Sequence, residues 1–256
     1  MRQIVHPYKI PWYRLTGQSA HYQRLRVNAD QLIRDHIAAR SPDLGQDLLG
    51  MMLNTPYQDN GETMTDEQVL VESLQLMVAG NETSSVALSW TLYMLAKHPE
   101  YIGQIREEIH RVLGDAPPDI GSLHQLDLTM RVVDETMRLY PSFWMFDRLA
   151  REDDVIQGVH VPAGSMLGIY IYGVHRNPAV WDEPERFNPA RFEREHKKNR
   201  PSFAHIPFGG GPRKCIGSNM AVIQILLVLV AIIRRYDFEL AEPGEVGTQP
   251  MFILRP

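Results

Sequence analysis

The sequence has almost no cysteine: 256 residues carry one, Cys215. A disulfide framework within the chain is therefore excluded, which fits a reducing compartment. It also lacks an apolar run of membrane length. The longest, Ala221–Ile233, is interrupted by Gln224 and followed by Arg234 and Arg235, whereas a span needs roughly 20 apolar residues. That run reads as a buried helix. Basic residues are not in excess: net charge is −5 and no polybasic block stands near either end, so nothing draws nucleic acid or an anionic membrane. None of the ten histidines forms a His-x-x-x-His pair, the spacing that would bind a metal from one helix face. Met1–Pro11 has no apolar stretch of the kind a secretory signal needs. What remains is ordinary for a globular chain, 44% hydrophobic and 22% charged.

The apolar spacing predicts a mainly α fold with small β pieces. Gln18–Arg40 carries Leu25, Ala29, Leu32, Ile33 and Ile37 near helical spacing, and Ser41-Pro42-Asp43 ends it. Gln46–Leu53 is a short apolar helix, and Asn60-Gly61 a turn. Thr65 with Gln68 reads as a capping box opening a helix from Asp66 to about Lys97, too apolar for the surface. Glu100–Leu113 and Thr129–Leu139 are further helices, closed by Gly114 and by Tyr140-Pro141. Val155–Val161, turning at Gly158, and Met166–Tyr172 favour strands. Pro178–Arg200 reads as an aperiodic meander, and Ser218–Arg235 as the apolar helix. No repeat and no linker divides the chain, so residues 1–256 are expected to form one domain.

The segment Phe208-Gly209-Gly210-Gly211-Pro212-Arg213-Lys214-Cys215-Ile216-Gly217 is the most informative. A thiolate bonded to iron needs positive potential and hydrogen-bond donors to keep it deprotonated. Glycines let backbone N–H groups approach the sulfur. A helix starting near Gly217 would point its positive end at it, and Phe208 can shield it from water. A phosphate cradle is the competing reading of such a loop, but the Gly-Lys-Ser/Thr ending is absent. A turn with an inert buried cysteine is the other. Phe208, Gly211, Arg213, Cys215 and Gly217 fill every specified position of Phe-x-x-Gly-x-Arg-x-Cys-x-Gly, the signature of the cytochrome P450 family, which the chain resembles.

Three further segments follow the family's order. Ala79-Gly80-Asn81-Glu82-Thr83-Ser84, inside the long helix, resembles its oxygen-activation motif, with Glu82 and Thr83 as the acid and alcohol that deliver protons. Ala79 and Thr83 share a helix face and Gly80 removes bulk. A small-residue helix contact is the competing explanation. Glu135-Thr136-Met137-Arg138 resembles the Glu-x-x-Arg motif, whose two side chains meet on one face. A surface ion pair would look the same. The resemblance implies a buried structural triad completed by Arg186 of Pro184-Glu185-Arg186-Phe187. Arg148 stands where the family often has a second propionate-binding arginine, and His175 in His175-Arg176-Asn177-Pro178 is read as structural.

The resemblance runs from about Gln18 to the C-terminus. It implies the cytochrome P450 fold with its N-terminal part missing, either because the chain is a fragment or because a second chain supplies that part. It implies haem b (iron protoporphyrin IX) ligated by Cys215. Phe208, Gly211, Arg213, Gly217, Arg148, Ala79 and Gly80 would line the cofactor, with Arg213 on a propionate. The implied reaction inserts one oxygen atom from dioxygen into a lipophilic substrate, with electrons from NAD(P)H through a ferredoxin or flavoprotein reductase. Met77, Ser84, Phe143, Trp144, Met145, Phe146 and Phe252 would line the substrate pocket, although aromatics of this kind also fill cores. A peroxide-driven haem-thiolate enzyme and an inactive haem-binding fragment or sensor are the rival functions. A cytoplasmic location is expected, with an N-terminal anchor left open.

Overall fold

A computed structural model describes residues 7–39, 47–242 and 244–256. The expected stop at Ser41-Pro42-Asp43 lies outside them. The chain separates into two compact units, Met1–Asn81 and Glu82–Pro256. The first holds a 3-10 turn at Pro7–Lys9 and helices α1 (Ile10–Leu15), α2 (Gln18–Ala38) and α3 (Leu48–Asn54). The Asp47 carboxylate caps α3 by accepting the Gly50 N–H at 2.9 Å. Helix α4 (Asp66–Lys97) begins in this unit and ends in the second. Its start is the expected capping box: Gln68 Oε1 accepts from the Thr65 N–H at 2.8 Å, and Thr65 Oγ1 from the Gln68 N–H at 3.3 Å.

The second unit continues with α5 (Pro99–Leu113), α6 (Ile120–Leu123), α7 (Asp127–Leu139), α8 (Ile171–Val174), α9 (Arg194–Asn199) and α10 (Ser218–Ile233). Its core joins Trp90 and Leu95 of α4, Ile105 and Ile109 of α5, Val132 and Val133 of α7, and Leu226 and Leu229 of α10. Trp90 is fully buried and stacks on Tyr140 at 4.0 Å. Helix α10 buries Ile225, Leu226, Leu229, Val230 and Ile233 along one face, while Leu227 and Val228 remain exposed. The apolar run is thus buried on one side only.

Helix α7 is tied down at both ends. Its first N–H groups have no partner in their own helix. The buried Glu108 carboxylate on α5 supplies one, accepting from Leu128 N–H at 2.7 Å and from Thr129 N–H and Oγ1–H at 2.9 and 2.7 Å. Its last turn ends at Tyr140, because the residue before a proline is driven out of helical backbone.

Among the described residues six short strands form three antiparallel pairs: β1 (Phe146–Leu149) with β4 (Met166–Ile169), β2 (Asp154–Ile156) with β3 (Val159–Val161), and β5 (Gln249–Pro250) with β6 (Leu254–Arg255). The β2–β3 loop is Gln157-Gly158, with φ of 50° and 83°. A two-residue hairpin with both central residues left-handed matches the twist of its strands. The strand expected over Met166–Tyr172 stops at Ile169, and Ile171–Val174 is a helical turn. Gly173 is the physical reason: a Cβ there would come 2.5 Å from the Tyr170 ring, so only glycine lets the ring fold over the turn. The expected meander also contains structure, a 3-10 turn at Pro189–Phe192 followed by α9.

Candidate functional site

The cysteine loop runs from Ile206 to Gly217, where α10 begins. Gly209 N–H donates to Ile206 C=O at 3.0 Å, and Cys215 N–H donates to Phe208 C=O at 2.9 Å, closing the loop on itself. Gly209 and Gly211 have φ of 72° and 71°, backbone that costs an L side chain roughly 1–2 kcal/mol. A Cβ at either would meet open space, so the backbone conformation requires these glycines and packing does not. Gly210 has a different reason. Its Cβ would come 2.8 Å from the Phe203 ring, a neighbour that no local pattern announces.

Phe208 is half-buried against the main core, whereas Cys215, Arg213 and Ile216 are exposed. Cys215 is thus an exposed thiol three residues ahead of a sixteen-residue helix. A Cβ at Gly217 would lie 4.0 Å from its sulfur. Among the described residues no group of three or more His, Cys, Asp or Glu side chains could hold a metal ion. A single soft sulfur cannot by itself fill a metal's coordination shell. It suits a metal whose other positions a macrocycle already occupies, and an open glycine loop leaves room for one. The donor set therefore fits haem.

Behind the loop, Glu135 and Arg138 are fully buried and paired, with Nε to Oε2 at 2.7 Å and Nη2 to Oε1 at 2.9 Å. Arg138 also donates to the carbonyls of His175, Pro184 and Arg186 at 2.9, 2.7 and 3.2 Å. Its five N–H groups thereby match five bonds. The expected third member needs correction. The Arg186 side chain is exposed and pairs with Glu183 at 2.8 Å, so Arg186 contributes its carbonyl. The second guanidinium near Glu135 is Arg191, at 3.5 Å and largely buried, while Asn188 N–H donates to Glu135 Oε1 at 2.8 Å. Both arginines sit in the same proline-rich stretch, and spacing alone does not say which turns inward.

The other expected site residues lie on α4, in residues 142–149 and near the C-terminus. Glu82 and Thr83 are half-buried on α4. Ser142 Oγ donates to Thr83 C=O at 2.9 Å, and Ser142 C=O accepts from Leu254 N–H at 2.9 Å. Trp144 Nε1–H donates to Met251 C=O at 2.8 Å, and Trp90 Nε1–H to Leu254 C=O at 2.9 Å. Phe143 and Phe252 meet edge to face at 5.3 Å. The Glu82 carboxylate forms an ion pair with Arg255, a partner the sequence did not suggest. Ser84 Oγ is buried without a hydrogen-bond partner. Met145 is exposed, and Phe146 lies under the guanidinium of Arg148 at 4.6 Å on β1. Arg148 is itself exposed. Met77, Ala79 and Gly80 are exposed residues of the first unit.

The family model for cytochrome P450 matches residues 2–256. The chain belongs to the cytochrome P450 family. It is 36% identical over 197 residues to cytochrome P450 3A29 of Sus scrofa, covering 75% of this chain and 39% of that one. It is 34% identical to cytochrome P450 4F2 of Homo sapiens over 91% of this chain and 45% of the relative. Among solved structures, the haem domain of cytochrome P450DA superposes with a TM-score of 0.84 at 30% identity, covering 91% of this chain and 52% of that one. The fold is that of a P450, and the chain spans about half the length of the relatives it matches. Haem is the cofactor of P450 proteins, and the cysteine loop has the donor and the space it needs. Among the described residues no helix is long and apolar enough to cross a membrane.

Proposed function

We propose that residues 1–256 are a single partial domain, the haem-binding portion of a P450 monooxygenase. It inserts one oxygen atom from dioxygen into a lipophilic small molecule, with electrons from NAD(P)H through a ferredoxin or flavoprotein reductase. The observation that carries this reading is the exposed Cys215 sulfur in its glycine loop at the head of α10. Haem, when bound, supplies the oxygen-activating and electron-accepting chemistry. Cys215, at the head of α10 with Arg213 two residues before it, would give the sulfur ligand. Arg213 and, from β1, Arg148 offer guanidinium groups to the propionates. Phe208, half-buried against the core, would shield one side of the sulfur once haem covers the other. Phe143 and Phe252 form an apolar wall against which a lipophilic substrate is held, with Trp144 fixed beside them through Met251. Ser84, Met145 and Phe146 are the remaining candidates for that wall. Glu82 and Thr83 are the groups for proton movement, and Arg255 pairs with the Glu82 side chain.

That pair also favours a second reading within the same fold, a peroxide-driven haem-thiolate enzyme. A side chain engaged by a guanidinium is less free to relay protons, and peroxide brings its protons with it. Product formed with peroxide alone, and none with a reductase, selects the second reading.

The test of both is the ferrous–carbon monoxide spectrum of the purified, haem-loaded protein. The thiolate-type band is expected in the native chain and absent in Cys215→Ala. A mutant that keeps the band overturns the assignment of Cys215.

A further inference from the structure

His175, which ends α8, exchanges two hydrogen bonds with Arg138. The Arg138 Nη1–H donates to the backbone C=O of His175 at 2.9 Å, and His175 Nδ1 lies 3.2 Å from the backbone C=O of Arg138. The other ring nitrogen, Nε2, is 2.8 Å from the backbone N–H of Ile206. A backbone N–H can only donate, so Nε2 is the acceptor. In a neutral ring the proton is then on Nδ1 and points to Arg138 C=O. The ring is fully buried, and burial pushes its pKa down to about 3, against the smaller opposing effect of the Arg138 carbonyl.

Ile206 opens the cysteine loop. Its N–H is held by His175 and its C=O by Gly209 N–H, and two residues on Phe208 C=O holds Cys215 N–H. His205, its ring tilted against that of His175 at 5.1 Å, packs beside the same stretch of chain. The buried Glu135–Arg138 pair is therefore connected to the loop through one imidazole. A histidine kept only for packing would not need both nitrogens bonded across two separate elements.

We propose that His175 is a positioning residue: its neutral ring, by bridging Arg138 C=O and Ile206 N–H, fixes the start of the cysteine loop and so the placement of the Cys215 sulfur. The spectroscopic arm of the test rests on Cys215 being the haem ligand, whereas the amide arm does not. Asparagine places its amide nitrogen near Nδ1 and keeps the Arg138 bond, but does not reach Ile206. Glutamine places its amide oxygen near Nε2 and restores the acceptor for Ile206.

Amide hydrogen exchange on the full chain, without haem, should rise roughly five-fold at Ile206, Gly209 and Cys215 in His175→Asn, the change for one net hydrogen bond of average strength. It should return toward the native rates in His175→Gln. Rates unchanged in His175→Asn, or raised equally throughout α5 and α10, overturn the proposal, since the first means no tether and the second only a stability role. After haem loading, the thiolate-ligated fraction should fall in His175→Asn and recover in His175→Gln. A fraction equal in the two variants while their loop amides differ also overturns it. A native chain with no thiolate band sinks the haem reading, and the amide arm still decides whether His175 tethers the loop.

Discussion

Arg138→Lys tests how much of the fold hangs on one buried guanidinium. Arg138 makes five hydrogen bonds at 2.7–3.2 Å, two to the Glu135 carboxylate and three to backbone carbonyls of three different residues. Lysine keeps the charge but offers three donors from a single nitrogen. It leaves at least two buried acceptors unpaired, at about 1–3 kcal/mol each. Against a total stability of about 5–15 kcal/mol for a domain, such a loss removes a large share of the margin. Urea unfolding followed by circular dichroism reads the cost as a lower midpoint at unchanged slope. The double variant Glu135→Gln/Arg138→Met, which removes both charges, should cost about 1–3 kcal/mol less than the sum of its single changes. A loss below about 1 kcal/mol in Arg138→Lys, or strict additivity in the double variant, refutes the claim that this pair is the buried anchor of the loop.

The histidines predict a pH dependence. His175 is held near 3 and His205 well below its ordinary value, both by burial. The unfolded chain therefore takes up their protons below pH about 6.5 while the folded chain does not, so stability falls as pH drops from that value towards 3, by up to about 1.4 kcal/mol per pH unit for each ring. Unfolding midpoints across pH about 7 to 5, above the range where carboxylates titrate, should show the slope, and His175→Gln should reduce it by one proton's worth. Glu108→Ala should cost about 2–4 kcal/mol by stranding the Leu128 and Thr129 N–H groups, whereas Glu108→Gln, which keeps an acceptor, should cost less in the same urea assay. Gly211→Ala should cost about 1–2 kcal/mol from its left-handed backbone. Gly210→Ala should cost less, because the exposed Phe203 ring it meets can swing away, and equal losses in calorimetry would contradict that ranking.

Much of the chain could be read locally. The capping box at Thr65, the end of α7 before Pro141 and the Gln157-Gly158 hairpin are each set by a few neighbouring residues. The misreadings fall where a local preference met a distant constraint. Met166–Tyr172 is strand-like throughout, yet Tyr170 folds over Gly173 and turns the chain inward at His175. Arg186 occupies the position the motif specifies, but the meander turns Arg191 inward and leaves Arg186 facing Glu183. The Glu82–Arg255 pair and the Ser142–Thr83 bond join residues far apart in sequence, and no periodicity encodes them.

The amino-acid order alone settled the chemistry available: one thiol in a glycine loop ahead of a helix, and a carboxylate and guanidinium three residues apart on a helical face. Those depend on short-range geometry, which the backbone's fixed periods impose wherever the residues occur. Which groups are buried, which arginine turns inward and which imidazole nitrogen carries the proton depended on what packs against them. Only the tertiary structure could decide these, because the energy of a buried polar group is set by the partners brought to it from elsewhere in the chain.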